Sequence, residues 1–425
     1  MTLLLLTVFA GLLIIKAPIA VALGLSAGVT IFVHGLPLSV LMQRAVNSID
    51  SSPLLAVPMF ILAAGLLTAT GVTRYMFDLV RMVVGRVRGG MAHVNVLLSL
   101  VFAGMSGAAL ADIGAMGAMQ VREMEAQGYS RRFAAGVSIA AATIGPIFPP
   151  SIPLIIFATA AEVSGVKLLL AGIVPALMIT AMLMGYIALV AKRQNLPRDT
   201  VSPSLQAFGR LALISLPAML TPVLLIGGLL SGIFGPTEAA GITVAYAIFI
   251  GLAVYRSLTW QALLETTRET VLATANILFV VAAAAIFAWV LTMDQIPDKA
   301  GVWLLGISDD PLVLLLILNV ILLIAGMFME SIAAILIIAP IVTPALIQAG
   351  APPEQIGVVM VLNLMIGLLT PPVGMSLYMM SIAAKMSFAE VLRGVMPFFL
   401  PLFIALALVT FFPGLSAWLP NYLME

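Results

Sequence analysis

The chain contains no cysteine and only two histidines, His34 and His93, among its 425 residues. The absence of cysteine excludes disulfide bonds, thiolate metal ligands and a cysteine nucleophile. The two histidines are too few and too far apart in the sequence to form a metal site. We therefore expect their roles to be incidental to any chemistry.

Charged residues are also scarce, at 9 % of the chain, whereas soluble domains usually carry about 25 %. The net charge of +1 argues against a nucleic-acid partner. The motifs HExxH and G-x-x-x-x-G-K-[ST] are absent from the sequence. We therefore expect neither an intramembrane enzyme nor an ATP-driven pump, and no cofactor.

Long apolar runs replace the missing charge, because 62 % of the residues are hydrophobic and several runs approach the roughly 20 residues that span a bilayer. This composition predicts an all-α polytopic membrane protein embedded in the lipid bilayer. The stretch MTLLLLTVFAGLLIIKAPIA lacks a basic start and leads into more apolar sequence, so we expect no cleaved signal peptide. Residues 1–35 fit either one long kinked helix or two short spans, since Lys16 and Pro18 interrupt them.

The positions of lysine and arginine orient the spans, because short cytoplasmic loops are enriched in positive charge. We assign five basic clusters to the cytoplasmic side, namely Arg74–Arg88, Arg122–Arg132, Lys192–Arg210, Arg256–Arg268 and Lys385–Arg393. Acidic residues without such clusters mark the other side, namely Glu162, Asp294, Asp298, Asp309, Asp310 and Glu354. The alternation predicts spans near residues 54–70, 133–161, 168–190, 212–232, 238–255, 271–292, 355–384 and 395–415.

Two further segments do not fit a single crossing. Residues 91–121 lie between two cytoplasmic loops and residues 311–349 between two external loops, and each is too long for one simple span. Each has glycine near its middle, in AGMSGAALAD from Ala103 and in AGMFMESIAA from Ala325. We predict that both are re-entrant helical hairpins, one entering from each face of the membrane.

Three markers recur along the chain at the same separation of 222 positions. They are AGM at Ala103 and Ala325, IGPIFPP at Ile144 with IGLLTPP at Ile366, and the loop glycines Gly128 and Gly350. Each half therefore has a hairpin, a loop and then a helix broken at glycine and Pro-Pro, in residues 133–161 and 355–384. Because the hairpins enter from opposite faces, we predict an inverted repeat, the plan of many secondary transporters.

The breaks have a chemical purpose in such a plan. Proline removes a backbone donor, and unpaired backbone at membrane depth is tolerated only where it is buried in protein or lines a wet cavity. There, carbonyl oxygens can replace the hydration shell of a small hard cation. Because the expected ligands are neutral carbonyl and hydroxyl oxygens, we predict that Na⁺ is the coupling ion.

Placing each hairpin against its broken helix gives two predicted ion sites and a cavity. The residues predicted for Na⁺ site 1 are Gly104, Ser106, Thr143, Gly145 and Pro149. Those predicted for Na⁺ site 2 are Gly326, Met329, Gly367 and Thr370. The residues predicted to line or gate the substrate cavity are Asp112, Met105, Met327, Glu330 and Asn363.

Several of these side chains also fit an ordinary structural role. Asp112 and Glu330 are ionisable groups at membrane depth, which favours a function, but each equally fits a structural cap. Asn363 lies one turn before Gly367, where it fits a cap of the broken helix as well as a cavity position. Glu238 follows Pro236 and Thr237, so we expect it to stabilise a helix start.

At these motifs the chain resembles the large membrane subunit of TRAP (tripartite ATP-independent periplasmic) transporters, the DctM-like family. The resemblance covers essentially the whole chain. It rests on SPLLAVPMFILAAGLL from Ser52, GMSGAALAD from Gly104, IGPIFPPSIPLIIF from Ile144, GIFGPTEAAG from Gly232, GMFME from Gly326 and IGLLTPPVG from Ile366. It implies Na⁺-driven uptake of an organic acid and an elevator motion of the domain that contains the hairpins.

The resemblance also implies two protein partners and a location. A small four-helix membrane subunit would form the scaffold with this chain, and a periplasmic binding protein would deliver the substrate to them. The chain itself would lie in the bacterial inner membrane. The sequence departs from the family pattern at Ala108, where a second serine is common, at Glu330, which replaces an aspartate, and at Met375, where asparagine is frequent. These changes affect side-chain ligands, whereas carbonyl ligands would survive them.

The predicted division of the chain follows the repeat. It consists of N-terminal scaffold helices in 1–90, a first transport repeat in 91–190, a linker and second scaffold helices in 191–310, a second transport repeat in 311–390 and a C-terminal helix in 391–425. An alternative function is a stand-alone sodium-coupled anion symporter of the divalent-anion type, which shares the inverted hairpin plan. Transport by this chain alone would favour that alternative.

Overall fold

The computed structural model describes residues 1–199, 204–232 and 234–424, so parts of the predicted linker in 191–310 and the last residue of 391–425 lie outside the described residues. The α-helices are α1 (Thr2–Ile14), α2 (Ile19–Val33), α3 (Ser39–Ile49), α4 (Ser52–Ala69), α5 (Val72–Val84), α6 (Gly90–Ser106), α7 (Ala109–Asp112), α8 (Ala118–Ala126), α9 (Arg131–Ala142), α10 (Ile152–Ala160), α11 (Gly165–Ala171), α12 (Ile173–Arg193), α13 (Leu205–Leu230), α14 (Pro236–Phe249), α15 (Trp260–Met293), α16 (Ile296–Ile307), α17 (Pro311–Phe328), α18 (Ser331–Gln348), α19 (Pro353–Gly367), α20 (Met375–Ala384), α21 (Phe388–Val395), α22 (Phe399–Phe411) and α23 (Gly414–Met424). Two π-helical turns, Ile113–Gly117 and Ile250–Val254, and a 3₁₀ turn, Met396–Phe398, complete the helical structure.

The prediction of an all-helical membrane protein is confirmed, since the part of the chain that the structure describes contains no strand. Within the described part of the chain, seven helices are long and apolar enough to cross a bilayer. An eighth crossing results if the bent pair Ser39–Ile49 and Pro53–Ala69 counts as one span. The two readings of residues 1–35 resolve into two short helices, α1 and α2, which are separated at Lys16 and Pro18.

One span is longer than the apolar pattern indicates. The pattern predicts a span in 271–292, but α15 begins at Trp260, where the Thr259 hydroxyl caps it by accepting from the Ala262 amide at 3.1 Å. The added turns carry exposed Glu265, Arg268 and Glu269. These charged residues lower the hydropathy of the turns, so the apolar pattern does not include them. The result is a single helix of 34 residues.

Both predicted hairpin segments contain a helix, a sharp turn and a second helix. In the first, Gly107 is the C-cap of α6, where its φ of +63° suits glycine, and α7, a π turn and α8 follow. In the second, Met329 is the C-cap of α17 and Glu330 is the N-cap of α18. Because α17 and α18 are each 18 residues long, either is long enough by itself to cross a bilayer, so the re-entrant placement stays a prediction.

Both predicted broken helices are interrupted at Gly and Pro-Pro. Helix stops after Ala142 and resumes at Ile152 in the first, and it stops after Gly367 and resumes at Met375 in the second. Each break contains a cis Pro-Pro peptide bond, Pro149–Pro150 and Pro371–Pro372, and the two bonds keep the separation of the sequence repeat. Both breaks therefore lie at the Gly and Pro-Pro motifs that recur in the sequence.

The broken helices form the centre of the molecule. Every residue of α19 from Glu354 to Gly367 is buried, and so is every residue of α9 from Ala134 to Ala142. Helix α19 packs on α17, α18 and α22, whereas α9 packs on α6, α8 and α21. Helix α15 lies outside this core and contacts α2, α3 and α4, together with α18 of the second hairpin segment.

Candidate functional site

Three cavities follow one another along α15. The first, which we call the N-side cavity, has a volume of about 520 Å³ and lies among α4, α6, α7 and the first half of α15. The second, the tip cavity, measures about 70 Å³ and touches α15 at Ile277. The third, the C-side cavity, measures about 660 Å³ and lies among α3, α10, α18 and the second half of α15. The N-side and tip cavities share Ala108, Ile152 and Ile277, so they are direct neighbours.

The tip cavity is where both hairpins and both breaks meet. The first hairpin contributes Ala108, and the second contributes Glu330 and Ser331. The first break contributes Pro146, and the second contributes Leu368. These four segments and Ile277 of α15 thus surround a space of a few water molecules. The cavities on either side of it along α15 are large enough for a small organic molecule.

Predicted Na⁺ site 1 contains a buried carboxylate with one free oxygen. The Ser106 hydroxyl donates to Asp112 Oδ1 at 2.5 Å, while Oδ2 is buried and has no hydrogen-bond partner. A methyl group added at Gly145 would lie 2.8 Å from Oδ2, so the carboxylate faces the first break directly. A buried, unpaired carboxylate oxygen is costly unless a cation or a proton accompanies it. The arrangement therefore suits a small cation.

The other residues predicted for site 1 lie around this carboxylate with less direct roles. The Thr143 hydroxyl donates to the Ala140 carbonyl at 2.7 Å, which leaves its lone pairs available. Gly104 packs against Pro222 of α13 and Phe148, because an added Cβ would lie 2.5 Å from the Pro222 ring. Pro149 belongs to the cis Pro-Pro bond of the break.

Gly107 and Ser151 also contribute to site 1, although they are not among the residues predicted for it. An added Cβ on Gly107 would lie 2.0 Å from the Pro150 carbonyl oxygen, so the hairpin turn rests directly on the break. The Ser151 hydroxyl donates to the Pro146 carbonyl and accepts from the Leu154 amide at 3.1 Å, which caps α10. A serine directly before an apolar run with proline in its first turn is an N-cap signal that could have identified Ser151.

Predicted Na⁺ site 2 is a close approach of two backbones. An added Cβ on Gly367 would lie 2.6 Å from Gly326 Cα, so α17 and α19 touch without intervening side chains. The Val373 amide donates to the Met327 carbonyl at 3.3 Å, which joins the second break to the end of α17. The Thr370 hydroxyl donates to the Ile366 carbonyl at 2.9 Å, and Met329 terminates α17. Main-chain groups therefore make the contacts that join α17 to the second break.

The residues predicted for the cavity separate into two groups. Asp112 and Met105 line the N-side cavity, and Glu330 lines the tip cavity, where its carboxylate caps α18 by accepting from Ile332 N at 2.9 Å and from the Ser331 hydroxyl. Met327 and Asn363 line none of the three cavities. The Asn363 amide is fully buried and donates to Asn319 on α17, so it joins two helices.

The two large cavities differ in charge. Three carboxylates, from Asp112, Glu265 and Glu269, line the N-side cavity, and none of the residues that line it is basic. The C-side cavity contains Arg44, whose guanidinium lies 5.7 Å from the centre of the Trp289 ring, together with Glu162. The charged groups of the C-side cavity therefore balance, whereas the three carboxylates of the N-side cavity suit a cation.

Sequence comparison identifies relatives over almost the whole chain. Residues 6–415 match the family model described as tripartite ATP-independent periplasmic transporter, DctM component. The chain is 40 % identical over 382 residues to the sialic acid TRAP transporter large permease protein SiaM of Vibrio cholerae, covering 89 % of this chain and 88 % of that protein. It is 38 % identical over 404 residues to the C4-dicarboxylate TRAP transporter large permease protein DctM of Pseudomonas aeruginosa, covering 95 % and 94 %.

Some relatives are longer than this chain. The sialic acid TRAP transporter permease protein SiaT of Haemophilus influenzae is 37 % identical over 382 residues, but the chain spans only 62 % of its length. Among solved structures, the Alcanivorax borkumensis YdaH transporter superposes with a TM-score of 0.63 at 18 % identity, covering 90 % of each chain. The Neisseria gonorrhoeae transporter MtrF superposes with a TM-score of 0.61 at 15 % identity, covering 88 % and 84 %. At such identities the likeness shows the fold alone.

Proposed function

Because the chain belongs to the DctM family of tripartite ATP-independent periplasmic transporters, as their large permease subunit in the inner membrane, we propose that it imports an organic acid with the Na⁺ gradient. The named relatives handle sialic acid and C4-dicarboxylates, which share a carboxylate group. The substrate class that we propose here is therefore a small carboxylate.

One observation carries the proposal, namely the convergence of both hairpins and both breaks on the tip cavity. Ile152 at the start of α10 and Ser331 at the start of α18 line this cavity, so the positive ends of two helix dipoles face it. The Glu330 carboxylate is already bound by Ser331, Ile332 and Ala333, which reduces its repulsion of an anion. Two helix N-termini supply attraction for a substrate carboxylate.

Sodium coupling is supported by the free oxygen of Asp112. A cation between Asp112 Oδ2 and the backbone of the first break would satisfy the unpaired oxygen and lie beside the tip cavity. The bound cation would in turn favour a carboxylate nearby, which couples the two ligands. We propose inverted repeats and an elevator motion as the means by which this site reaches each face of the membrane.

Two protein partners complete the proposed system. We propose that a small four-helix subunit packs on this chain and that a periplasmic binding protein delivers the substrate. The greater length of SiaT leaves room in that relative for a further segment fused to the permease. The substrate would enter by the C-side cavity, where Arg44 lies, and leave by the N-side cavity together with Na⁺, whose charge would offset the carboxylates there.

Reconstitution in proteoliposomes tests this proposal. Purified chain would be assayed for uptake of radiolabelled sialic acid and succinate, alone, with the small subunit, and with subunit and binding protein together. We expect uptake only with all three proteins and an inward Na⁺ gradient. Uptake by this chain alone would establish the stand-alone symporter instead, and uptake driven equally by a proton gradient without Na⁺ would refute sodium coupling.

A further inference from the structure

A fourth cavity, of about 720 Å³, lies at the ends of α5 and α12 beside the start of α6 and is strongly basic. Its lining consists of Arg86, Arg88, His93, Lys192, Arg198, Val84, Val87, Met184 and Ala188. Four cationic side chains thus converge from two distant parts of the sequence. None of these lining residues is acidic, so the cavity has the charge of an anion-binding site.

Backbone contacts hold the two basic segments together. The Gly89 amide donates to the Pro197 carbonyl at 3.1 Å, and the Asp199 amide donates to the Gly85 carbonyl at 3.1 Å. The Tyr129 hydroxyl also donates to Pro197, at 3.0 Å. These bonds fix Arg198 opposite the turn that carries Arg88. Main-chain hydrogen bonds therefore hold the two basic segments beside each other.

One residue of the cavity lining, His93, has a buried polar atom without a hydrogen-bond partner. His93 is only 5 % exposed, and its Nδ1 atom is buried with no hydrogen-bond partner. His93 nevertheless belongs to the cavity lining. A ring nitrogen that can donate or accept is an additional ligand for an oxyanion, and a bound oxyanion would satisfy it.

The apolar half of the cavity distinguishes a lipid from a soluble anion. Val84, Val87, Met184 and Ala188 lie next to the charged groups, and α12 is part of a membrane span. Val83 and Leu189, one residue along the same helices, are 62 % and 65 % exposed. A phosphate in the basic half would therefore have apolar protein surface beside it for acyl chains.

We propose that this basic cavity binds the phosphate of an anionic phospholipid, with Arg88, Lys192, Arg198 and His93 as its ligands. The bound lipid joins α5, α6 and α12, and so links the helices on both sides of the predicted boundary at residues 90 and 91. The basic side faces the cytoplasm by the distribution of charge along the chain. The proposal is independent of the transported substrate.

Native mass spectrometry of the full chain in detergent tests the proposal, with phosphatidylglycerol, phosphatidylcholine and glycerol 3-phosphate as probes. We expect wild-type protein to retain phosphatidylglycerol in preference to the other two. The variant R88Q/K192Q/R198Q should lose about a hundredfold in affinity, since each basic group near a lipid surface contributes roughly fivefold. Lys192→Gln alone should lower the phosphatidylglycerol affinity about fivefold. This single variant tests the proposal if the triple variant fails to fold.

The matched control removes three exposed basic groups elsewhere on the same side of the protein. R122Q/R256Q/R268Q has the same net charge as the first triple variant, and we expect it to keep phosphatidylglycerol affinity within about twofold. Equal loss in both triple variants would show a diffuse electrostatic effect and overturn the proposal. Tight binding of glycerol 3-phosphate by itself would identify a soluble phosphate ligand and overturn the assignment to lipid.

Discussion

The Ser106–Asp112 pair is the smallest unit of the candidate ion site. One carboxylate oxygen is occupied by a hydroxyl group of the same hairpin, and the other is buried without a partner against the first break. The hydroxyl orients the carboxylate so that the free oxygen faces Gly145. Cation binding at Asp112 would therefore depend on both the charge and the orientation of its carboxylate.

Removal of either group should weaken sodium dependence. We expect Asp112→Asn and Ser106→Ala each to raise the Na⁺ concentration for half-maximal uptake by about tenfold, because a hydrogen bond to a charged group contributes roughly 1.5–3 kcal/mol. Uptake against Na⁺ concentration in proteoliposomes measures this. Thr180→Ala is the control, since it removes a buried hydroxyl that bonds only within α12. Unchanged sodium dependence in Asp112→Asn would contradict the site.

Gly107 is the residue at which the hairpin turn touches the break. We expect Gly107→Ala to lower the melting temperature by about 5 °C more than Gly350→Ala does, because only the first added Cβ meets a carbonyl oxygen. Both glycines have positive φ, +63° and +97°, so the backbone cost is shared by the two variants. Thermal unfolding in detergent provides the comparison. Equal losses would mean that the turn can move away from Pro150.

At this scale the sequence predicted part of the site. Ser106, Asp112 and Gly145 follow from their motifs, and the structure places them together. Ser151 was missed although a serine before Ile152 and Pro153 is an N-cap signal, and only its bond to the Pro146 carbonyl depends on the path of the break. Met327 and Asn363 lie away from the cavities because helix rotation decides which face is covered, and the apolar sequence of these helices gives no such signal.

Among the elements, the helices that start at the cavities are capped by side chains. Ser151 caps α10, and Glu330 caps α18. The cap is compatible with both roles predicted for Glu330, as a structural cap and as a functional group. A carboxylate that caps a helix at a cavity can also face an ion. The two roles differ in what they require of the side chain: a cap needs only a short acceptor, whereas an ion ligand needs an oxygen at one position.

Substitution of Glu330 separates these roles. We expect Glu330→Ala to reduce stability by about 0.5–2 kcal/mol, and Glu330→Asp to restore most of it, since aspartate is a good N-cap residue. Melting temperature measures the cap, and Na⁺-dependent uptake measures the ion site. Asp310→Ala is the matched control, because Asp310 caps α17 away from the cavities. Loss of sodium dependence in Glu330→Asp at normal stability would assign an ion-binding role to Glu330.

The breaks were the most predictable elements and the length of α15 the least. Glycine and Pro-Pro cannot continue a helix, so their positions specify where each break begins. The polar first turns of α15 carry no apolar signal, although they form one wall of the N-side cavity. Tertiary packing against α4 supports these turns, and single-sequence patterns do not contain that contact.

At the scale of the whole molecule, the cavities form a series from one end of α15 to the other. The series agrees with the charge distribution, since Arg256 and Arg268 lie near its first end and Asp294 at its last. The two large cavities are therefore expected to open to opposite sides of the membrane.

Labelling of single cysteines tests this orientation, and the chain has no native cysteine to remove. We expect Ala262→Cys in the N-side cavity to react with a membrane-impermeant maleimide only from the cytoplasmic side. Thr292→Cys in the C-side cavity should react only from the periplasmic side. The comparison uses right-side-out and inverted vesicles, with the cysteine-free protein as the blank. Labelling of both positions from one side would contradict the proposed route.

Helix α15 extends for about 50 Å, given its 34 residues. All three cavities of the series touch this one helix, so a solute that followed the proposed route would meet side chains of α15 in each cavity. Substitutions along this helix, at Thr266, Ile277 and Trp289 in turn, would report where on the journey one acid is distinguished from another. A series of single substitutions in α15 can therefore relate substrate selectivity to depth along the proposed route.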